Sequence, residues 1–206
     1  MEADIFLENN NDVVKQRDFE NGLAVTPGVW IDGKIYWLKD GGNEKIIPEE
    51  GISVLVKEGS IHSKTKIHDV YIKNHGERVR SVKLLFIHHY PDVTKELLAF
   101  VSPAEKTIFH IKNDHIYLVN GQCQGNKMDQ MTVQPLWNVN TSLIWQSLEK
   151  GILKYQPMAK GMMVSIFSLD AHVQVSETCK ASTWTVFGQN KTELQKLNHV
   201  MKRILI

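Results

Sequence analysis

The sequence predicts a mainly β protein, an antiparallel two-sheet sandwich closed by one C-terminal α-helix. Three observations predict it: short apolar segments with a two-residue period, hairpin signals between them, and a helical period only near the end. A doubly wound α/β protein would instead alternate helices with its strands. With 206 residues, 42% of them hydrophobic, the chain has enough apolar surface for one domain spanning 1–206.

The predicted strands are separated by turn signals. They occupy 29–38 as a hairpin, 52–57, 65–74, 78–90, 97–101, 107–119 as a second hairpin, 132–137, and three further segments within 161–188. Asp32-Gly33 is typical of a type I′ turn in the first hairpin, and Lys112-Asn113-Asp114 indicates the turn of the second. Pro135 favours a sheet edge or a strand start, because proline cannot donate to a ladder.

Three other segments depart from this pattern. Residues 1–24 are polar and weakly patterned, and SLIWQSLEKGIL (142–153) predicts one or two helical turns that end at Gly151. At the C-terminus, Asn190 is a suitable N-cap and Glu193 stands where a capping box places an acidic residue. The apolar residues that recur at helical spacing are Leu194, Leu197, Met201 and Ile204. This spacing predicts a helix over 190–203.

Charge and hydropathy exclude some classes of partner. Lys and Arg total 24 against 23 Asp and Glu, so the chain has no positive excess that would attract nucleic acid or an anionic membrane. Its apolar runs are far shorter than the ~20 residues that a membrane-spanning helix needs. The acidic, Asn-rich start lacks an apolar signal core, which predicts a cytoplasmic protein. Cys123 and Cys179 lack CxxC spacing and are expected as buried free thiols.

Two adjacent histidines end the apolar run SVKLLFIHHYPDV (81–93). Neighbouring residues of a strand point to opposite faces, so His88 and His89 cannot converge on one site unless a bulge intervenes. Leu84 and Phe86 share the face of His88. The pair is therefore predicted not to be a ready-made chelate.

The histidines as a group raise two chemical alternatives. Seven lie in the strand-rich middle of the chain: His62, His68, His75, His88, His89, His110 and His115. A metal would need about three converging ligands, but neither a His-x-His pair followed by Glu nor a His-Glu-x-x-His motif occurs, so no metal and no cofactor are expected. Acid/base chemistry would pair His88 with a carboxylate such as Glu58, Glu105 or Glu177. Hydrogen-bonded or surface imidazoles are the expected outcome.

Aromatic side chains supply a second kind of candidate site. A flat ring suits the apolar face of a pyranose, with polar neighbours to orient it. The aromatic residues considered are Trp30, Trp37, Trp137, Trp145, Trp184, Tyr36 and Tyr117, and most are expected in the core. The candidate ligand-binding residues are therefore His88, His89, His110, His115, Tyr117, Trp137 and Trp145, and no catalytic residue is assigned.

Four segments, in order along the chain, resemble family 15 glycoside hydrolases, the glucoamylase and trehalase group. PGVWIDGKIYWL (27–38) is similar to that family's Gly-x-Trp-x-Asp-Gly hairpin. VYIKNHGERVRSVKLLFIHHY (70–90) resembles its strand pair ending in Phe-x-His-His. AFVSPAEKTIFHIKNDHIYLVNG (99–121) resembles its Pro-containing loop and Phe-His-x-Lys hairpin. WTVFGQNKTELQKLN (184–198) resembles its Trp-x-x-x-Gly strand and the helix that follows.

The resemblance implies the family's N-terminal supersandwich domain, which is galactose-mutarotase-like, without the catalytic (α/α) barrel. Tyr90-Pro91 stands where the family commonly has an acidic and an aromatic residue, and His115 stands where it has an Arg. One C-terminal helix cannot form a helical barrel, so we expect none of the carboxylates that cleave glycosidic bonds in this chain. The match implies a fold, and a fold does not imply an activity.

Three functional hypotheses follow. The first is a non-catalytic, carbohydrate-associated or protein-interaction β-sandwich, with a protein partner or second copy docking on the sandwich face near the C-terminal helix. The second is the non-catalytic subunit of a split glycoside hydrolase whose barrel is a separate chain. The third is a mutarotase-like epimerase that uses His88, His89 or His110 at a cleft, with a Glu within hydrogen-bond reach of a sugar.

Overall fold

The structure is a computed structural model that describes residues 22–38, 42–91 and 97–205. Its strands and its helix, in chain order, are β1 (Ala24–Ile31), β2 (Lys34–Trp37), β3 (Glu44–Ile47), β4 (Ile52–Gly59), β5 (Thr65–Asn74), β6 (Arg80–His89), β7 (Leu97–Ser102), β8 (Thr107–Lys112), β9 (His115–Cys123), β10 (Asn126–Lys127), β11 (Met131–Pro135), β12 (Trp145–Ser147), β13 (Ile152–Leu153), β14 (Met158–Lys160), β15 (Met163–Val173), β16 (Thr178–Gly188) and α1 (Lys191–Ile204). Short 3₁₀ turns lie at Pro48–Glu50, Leu136–Asn138 and Ser142–Ile144. Most of the segment predicted to be weakly patterned, 1–24, lies outside the described residues.

Within the described ranges, the strands form two large antiparallel sheets. The five-stranded sheet has the order β11-β15-β6-β1-β2. The nine-stranded sheet has the order β14-β7-β8-β9-β16-β5-β4-β3, with β10 paired to β9. Strands β12 and β13 form a small third ladder. The predicted fold class, antiparallel and mainly β with a C-terminal α-helix, is confirmed.

Both hairpins predicted from turn residues are present. Asp32 and Gly33 have φ of 46° and 85°, and Ile31 pairs with Lys34, as a type I′ turn requires. In the second hairpin, Lys112 pairs with His115 across Asn113, which has a φ of 52°. Short polar residues tolerate this left-handed region, so local turn chemistry alone positions these two reversals.

The main core lies between the two sheets. Strand β6 shows the alternation that directs residues to opposite sides: Leu84 and Phe86 join the core between the sheets, whereas Leu85 and Ile87 join a second core on the outer face. Phe86 pairs directly with Phe167 of β15, and their rings stack at 5.1 Å between centroids. Such a cross-strand aromatic pair stabilises the centre of the five-stranded sheet.

The outer face of each sheet is also covered. Residues 136–153 lie over the five-stranded sheet, where Trp145 packs with Leu85 and Ile87. Helix α1 covers the nine-stranded sheet, where Leu194 and Met201 pack on Trp184 and Phe109. Because both outer faces are occupied, the central strands read as nearly continuous apolar runs.

Polar contacts fix where α1 begins and how it docks. Its N-cap is the predicted residue, Asn190, whose side-chain oxygen accepts hydrogen bonds from the backbone N–H groups of Thr192 (2.9 Å) and Glu193 (3.3 Å). Half-way along the helix, buried Asn198 accepts from Trp184 Nε1 (2.9 Å). Asn198 is therefore buried on the helix face that also carries Met201. Ile204, which was predicted as part of the apolar stripe, is instead 53% exposed.

The structure differs from the sequence prediction at 142–153. Only Ser142–Ile144 forms a helical turn, and β12 and β13 follow as a small hairpin. Hydrogen bonds to distant residues hold the segment in this conformation. Trp30 Nε1 donates to the Leu148 carbonyl (2.8 Å), and Gln130 Oε1 accepts from the Leu153 N–H (2.7 Å). Neither partner lies near the segment in sequence, so its local period could not reveal this conformation.

The structure also differs at 161–188, where two long strands replace the three predicted short ones. Strand β15 runs without interruption through Asp170. Asp170 is directly opposite Lys83 on β6, and their charged groups lie 2.7 Å apart. The cross-strand ion pair lets a charged residue continue the strand.

We predict that Gly121→Ala destabilises the protein because Gly121 lies under the stacked ring of Phe167. An added methyl group would lie 2.7 Å from Phe167 Cζ and 3.1 Å from the Ser182 carbonyl oxygen. The free energy of unfolding should fall by about 1–3 kcal/mol, the usual effect of overpacking a core.

Urea unfolding measures this change, with Gly59→Ala as the matched control. The added methyl group at Gly59 would have no heavy atom of the described residues within 4 Å. Equal unfolding midpoints for the two variants would show that the space above Gly121 is not tight.

Candidate functional site

Two imidazoles, one from each sheet, are fully buried in the space between the sheets. His88 on β6 and His110 on β8 both have 0% exposed surface. His88 Nε2 lies 3.1 Å from Thr183 Oγ1 on β16, in the opposite sheet. His110 Nε2 lies 2.7 Å from Ser165 Oγ on β15, again in the opposite sheet. Each sheet therefore supplies one imidazole and one hydroxyl to a reciprocal pair of contacts, here called the crossed pairs.

The hydrogen-bond network assigns the tautomer of His88. Thr183 Oγ1 has one proton, which it donates to the Asn120 carbonyl (3.0 Å). The hydroxyl must therefore accept from His88, so Nε2 of that ring carries the proton. A neutral imidazole satisfies this contact, and no charge is needed.

Burial keeps both imidazoles neutral. It lowers the pKa of His110 to about 3, and the neighbouring His89 acts in the same direction. Burial also lowers the pKa of His88 well below the ordinary value, followed in size by the effect of His110. Enclosed, neutral rings cannot exchange protons with a substrate in solution, so the crossed pairs are structural hydrogen bonds rather than an acid/base pair.

An aromatic cluster continues from the crossed pairs. The Tyr90 ring lies edge-on to His110 and to Tyr117, with centroids 5.8 Å and 5.5 Å apart. Tyr117 in turn stacks on Phe187 at 6.0 Å. The candidate Tyr117 is thus a buried packing residue, 7% exposed.

The remaining predicted site residues do not come together. His89 is 3% exposed, on the face of β6 opposite to His88, and its Nδ1 lies 3.2 Å from the Tyr90 carbonyl. His115 is exposed at the start of β9, whereas Trp145 is buried beneath the segment that covers the five-stranded sheet. Trp137 is 61% exposed.

A cleft of about 430 Å³ lies where β4 ends and β5 begins. It is lined by Glu58, Gly59, Ser60, Ser63, Thr65, Lys66, Ile67, His68 and Phe187. His68 Nε2 lies 3.7 Å from Glu58 Oε1, and burial lowers the pKa of the Lys66 ammonium while Glu58 raises it. The cleft thus offers a carboxylate, an imidazole and an amine beside one aromatic ring. His68 was among the histidines of the strand-rich middle, but the cleft and the place of Lys66 in it had no signal in the sequence.

The second surface of interest surrounds Trp137, in the 3₁₀ turn after β11. Gln134 connects this turn to the segment that carries Tyr155, a side chain 60% exposed. Its Oε1 accepts from Asn138 Nδ2 (3.3 Å), and its Nε2 donates to the Lys154 carbonyl (2.8 Å). Trp137 and Tyr155 are thus each next in sequence to a residue held by Gln134. The surface formed by Trp137, Tyr155, Asn138 and Lys154 is called the Trp137 surface below.

Two simple requirements apply within the described ranges, those of a metal-ligand cluster and of a membrane-spanning helix. No group of three or more His, Cys, Asp or Glu side chains there is placed to hold a metal ion. None of the helices in the described part of the chain combines the length and hydropathy needed to cross a bilayer.

Comparison with known proteins shows a shared fold. No protein-family profile and no curated protein matches the sequence. A bacterial glucoamylase solved with acarbose superposes with a TM-score of 0.57 at 10% identity, over 84% of this chain and 27% of that one.

Two further structures match more weakly. A putative kojibiose phosphorylase from the human microbiome has a TM-score of 0.43 at 6% identity, over 90% of this chain and 25% of that one. A polysaccharide lyase has a TM-score of 0.42 at 12% identity, over 84% and 26%. This chain therefore spans about a quarter of each matched chain, and at these identities the glucoamylase match shows a shared fold.

We predict that the crossed pairs make the fold sensitive to acid. His110 has a pKa of about 3 in the folded protein and about 6.5 in the unfolded chain, so below pH 6.5 the unfolded chain binds more protons. Above that pH the free energy of unfolding is not reduced by protonation of His110. It decreases as the pH falls from 6.5 towards 3. At pH 5 the loss from His110 alone should be about 2 kcal/mol.

Urea unfolding at pH 7 and pH 5 measures this loss. In His110→Gln the difference in unfolding free energy between the two pH values should shrink by about that amount. His115→Gln, in an exposed hairpin position, is the control and should keep the wild-type difference. An unchanged difference in His110→Gln would show that this imidazole is not buried and neutral.

Proposed function

We propose that the chain is a non-catalytic, carbohydrate-associated β-sandwich domain, similar to the N-terminal supersandwich of family 15 glycoside hydrolases. The observation that carries this proposal is the exposure of Trp137 on a surface held in place by Gln134. The fold shared with a bacterial glucoamylase crystallised with acarbose supports it. The four sequence segments that resemble the glucoamylase group support the similarity to family 15 in particular.

The chemistry of the Trp137 surface suits a sugar. Trp137 is the most exposed of the five tryptophans, all of which lie in the described residues, and its ring can pack on the apolar face of a pyranose. Tyr155 adds a second exposed ring. The amide of Asn138 and the ammonium of Lys154 supply donors for hydroxyl groups.

The same groups support a binding role rather than hydrolysis. Amides and an ammonium orient hydroxyls, but glycoside hydrolysis needs two carboxyl groups as acid and base or nucleophile. The enclosed imidazoles of His88 and His110 are neutral and hydrogen-bonded, so they serve packing. Recognition at the Trp137 surface needs no proton transfer.

A protein partner at the helix is the second candidate. Val200 and Ile204 on α1 are 46% and 53% exposed, which favours a contact on that side of the sandwich. In the split-hydrolase form of this proposal, the partner is a separately encoded catalytic barrel. In the other form, the partner is another protein or a second copy of this chain.

A mutarotase-like epimerase is the third candidate, and the Glu58–His68 pair favours it. Both groups line one cleft, with Nε2 of the buried His68 3.7 Å from Oε1 of the partly exposed Glu58, so a sugar in the cleft would contact the carboxylate, and the imidazole behind it would hold or release the proton. The expected imidazoles, His88, His89 and His110, do not line this cleft.

For the binding proposal, we predict that Trp137→Ala weakens sugar binding without changing the fold. A panel of monosaccharides and glycans, screened by thermal shift, should contain a ligand that raises the melting temperature of the wild type. Loss of the ring should weaken binding of that ligand about tenfold, the amount expected from one aromatic stacking contact.

The matched control is Leu143→Ala, which shortens another exposed apolar side chain, 53% exposed, on the same covering segment. It should retain wild-type affinity. Equal affinities of wild type and Trp137→Ala would exclude the Trp137 surface. Hydrolysis of maltose, starch or trehalose by the pure protein, lost on one carboxylate substitution, would contradict a non-catalytic role.

The epimerase alternative makes a separate prediction. If it holds, the wild type accelerates interconversion of sugar anomers, followed by NMR, and Glu58→Gln and His68→Asn each slow it about a hundredfold or more. Glu177→Gln, in the exposed turn before β16, is the control for removing a carboxylate and should keep the wild-type rate. Anomer interconversion at the uncatalysed rate in the presence of wild type rejects this alternative.

A further inference from the structure

The two cysteines lie side by side in the main core. Cys123 ends β9 and Cys179 is the second residue of the adjacent strand β16. Their sulfur atoms are 3.4 Å apart, and both thiols are free. They are 56 residues apart along the chain, so only the pairing of β9 with β16 brings them together.

The ladder makes them a diagonal pair. Cys123 is directly opposite Ala181, two residues beyond Cys179 on β16. Diagonal neighbours are farther apart in backbone than direct partners, but long or suitably oriented side chains still meet. A disulfide needs an S–S distance of about 2.05 Å, so the sulfurs must approach by about 1.4 Å, a shift that side-chain rotation and a small strand movement supply.

Both thiols lie where strands end at surface turns. After Cys123 the chain turns through Gln124 and Gly125, with φ of 49° and 79°, into the two-residue strand β10. The four residues 124–127 are all exposed. Cys179 follows the exposed turn at 174–177. The hairpin has two residue pairs, so its local opening would cost less free energy than unfolding of the sheets, and such an opening is the route by which Cys123 would become accessible.

We propose that Cys123 and Cys179 form a reversible disulfide by exchange with a low-molecular-weight disulfide such as oxidised glutathione. This modification joins the ends of β9 and β16 in the nine-stranded sheet. It is independent of the Trp137 surface and of the proposed function.

The reaction consists of two thiol–disulfide exchange steps. Cys123, uncovered when the hairpin opens, loses its proton to solvent, and its thiolate attacks one sulfur of oxidised glutathione, forming a mixed disulfide and releasing one glutathione thiolate. Cys179 then loses its proton to solvent, and its thiolate attacks Cys123 Sγ, releasing the second glutathione as a thiolate. Two protein thiols are oxidised and one glutathione disulfide is reduced to two thiols. Cys123 acts first because it is the thiol that opening of the hairpin uncovers, while Cys179 stays beside it on β16.

Thiol titration and mass spectrometry of the full chain test this proposal. After incubation of the folded protein with excess oxidised glutathione, the chain should be about 2 Da lighter, and no thiol should titrate when it is then unfolded. Trypsin should release peptides 113–127 and 161–180 as one linked species, which dithiothreitol separates. Oxidation should raise the melting temperature, and reduction should reverse that rise.

The single variants Cys123→Ser and Cys179→Ser keep one thiol each, so both should lose the linked peptide. Two remaining thiols in the oxidant-treated wild type would overturn the proposal. So would a link that forms only in denaturant, or one that joins two chains. These readouts use the wild type, so they hold even if a serine variant fails to fold.

Opening of the β9–β10 hairpin can be tested by rate. Gly125→Ala strains the turn, because alanine rarely adopts its φ of 79°, and should speed disulfide formation several-fold. Gly161→Ala imposes the same strain at a φ of 82° in a turn next to β15, and should leave the rate unchanged. Equal rates in the two variants would contradict access through this hairpin.

Discussion

The crossed pairs set how the two sheets sit on each other. Apolar contacts between sheets are non-directional, so they tolerate sliding, whereas a hydrogen bond between buried groups does not. His88 reaches Thr183 and His110 reaches Ser165, in opposite directions across the same space. A sheet displaced by one residue pair would leave these groups buried and unpaired, at about 1–3 kcal/mol each. The four residues therefore select one packing of the sheets.

The rest of the molecule is arranged around that constraint. His88 and His110 hold the two sheets together and are enclosed between them. Groups that can contact a ligand therefore lie at the ends and edges of the sandwich. The cleft of Glu58 and His68 lies where β4 ends and β5 begins, and the Trp137 surface lies beyond the edge strand β11. The dithiol of Cys123 and Cys179 occupies another strand end. A rigid centre with variable ends is the usual way for a β-sandwich to carry function.

Much of the fold could be predicted because its signals are local. Alternation assigned His88 and His89 to opposite faces, and Asp32-Gly33 specified a hairpin. Asn190 specified the start of the helix. The failures have a common cause, which is a distant partner: Lys83 lets β15 continue through Asp170, and Trp30 and Gln130 flatten the segment 142–153.

The sequence by itself determined most of the long strands, the turns of two hairpins, the capped helix and the opposite faces of neighbouring strand residues, because these follow from backbone geometry over a few residues. Only the tertiary structure decided which faces meet. It buried Trp145 and exposed Trp137 eight positions earlier, since burial depends on which segment lies on top. It brought Glu58 within 3.7 Å of His68 by pairing β4 with β5, and it set two sulfurs side by side across β9 and β16. Contacts between strands have no fixed spacing along a chain, so no local pattern encodes them.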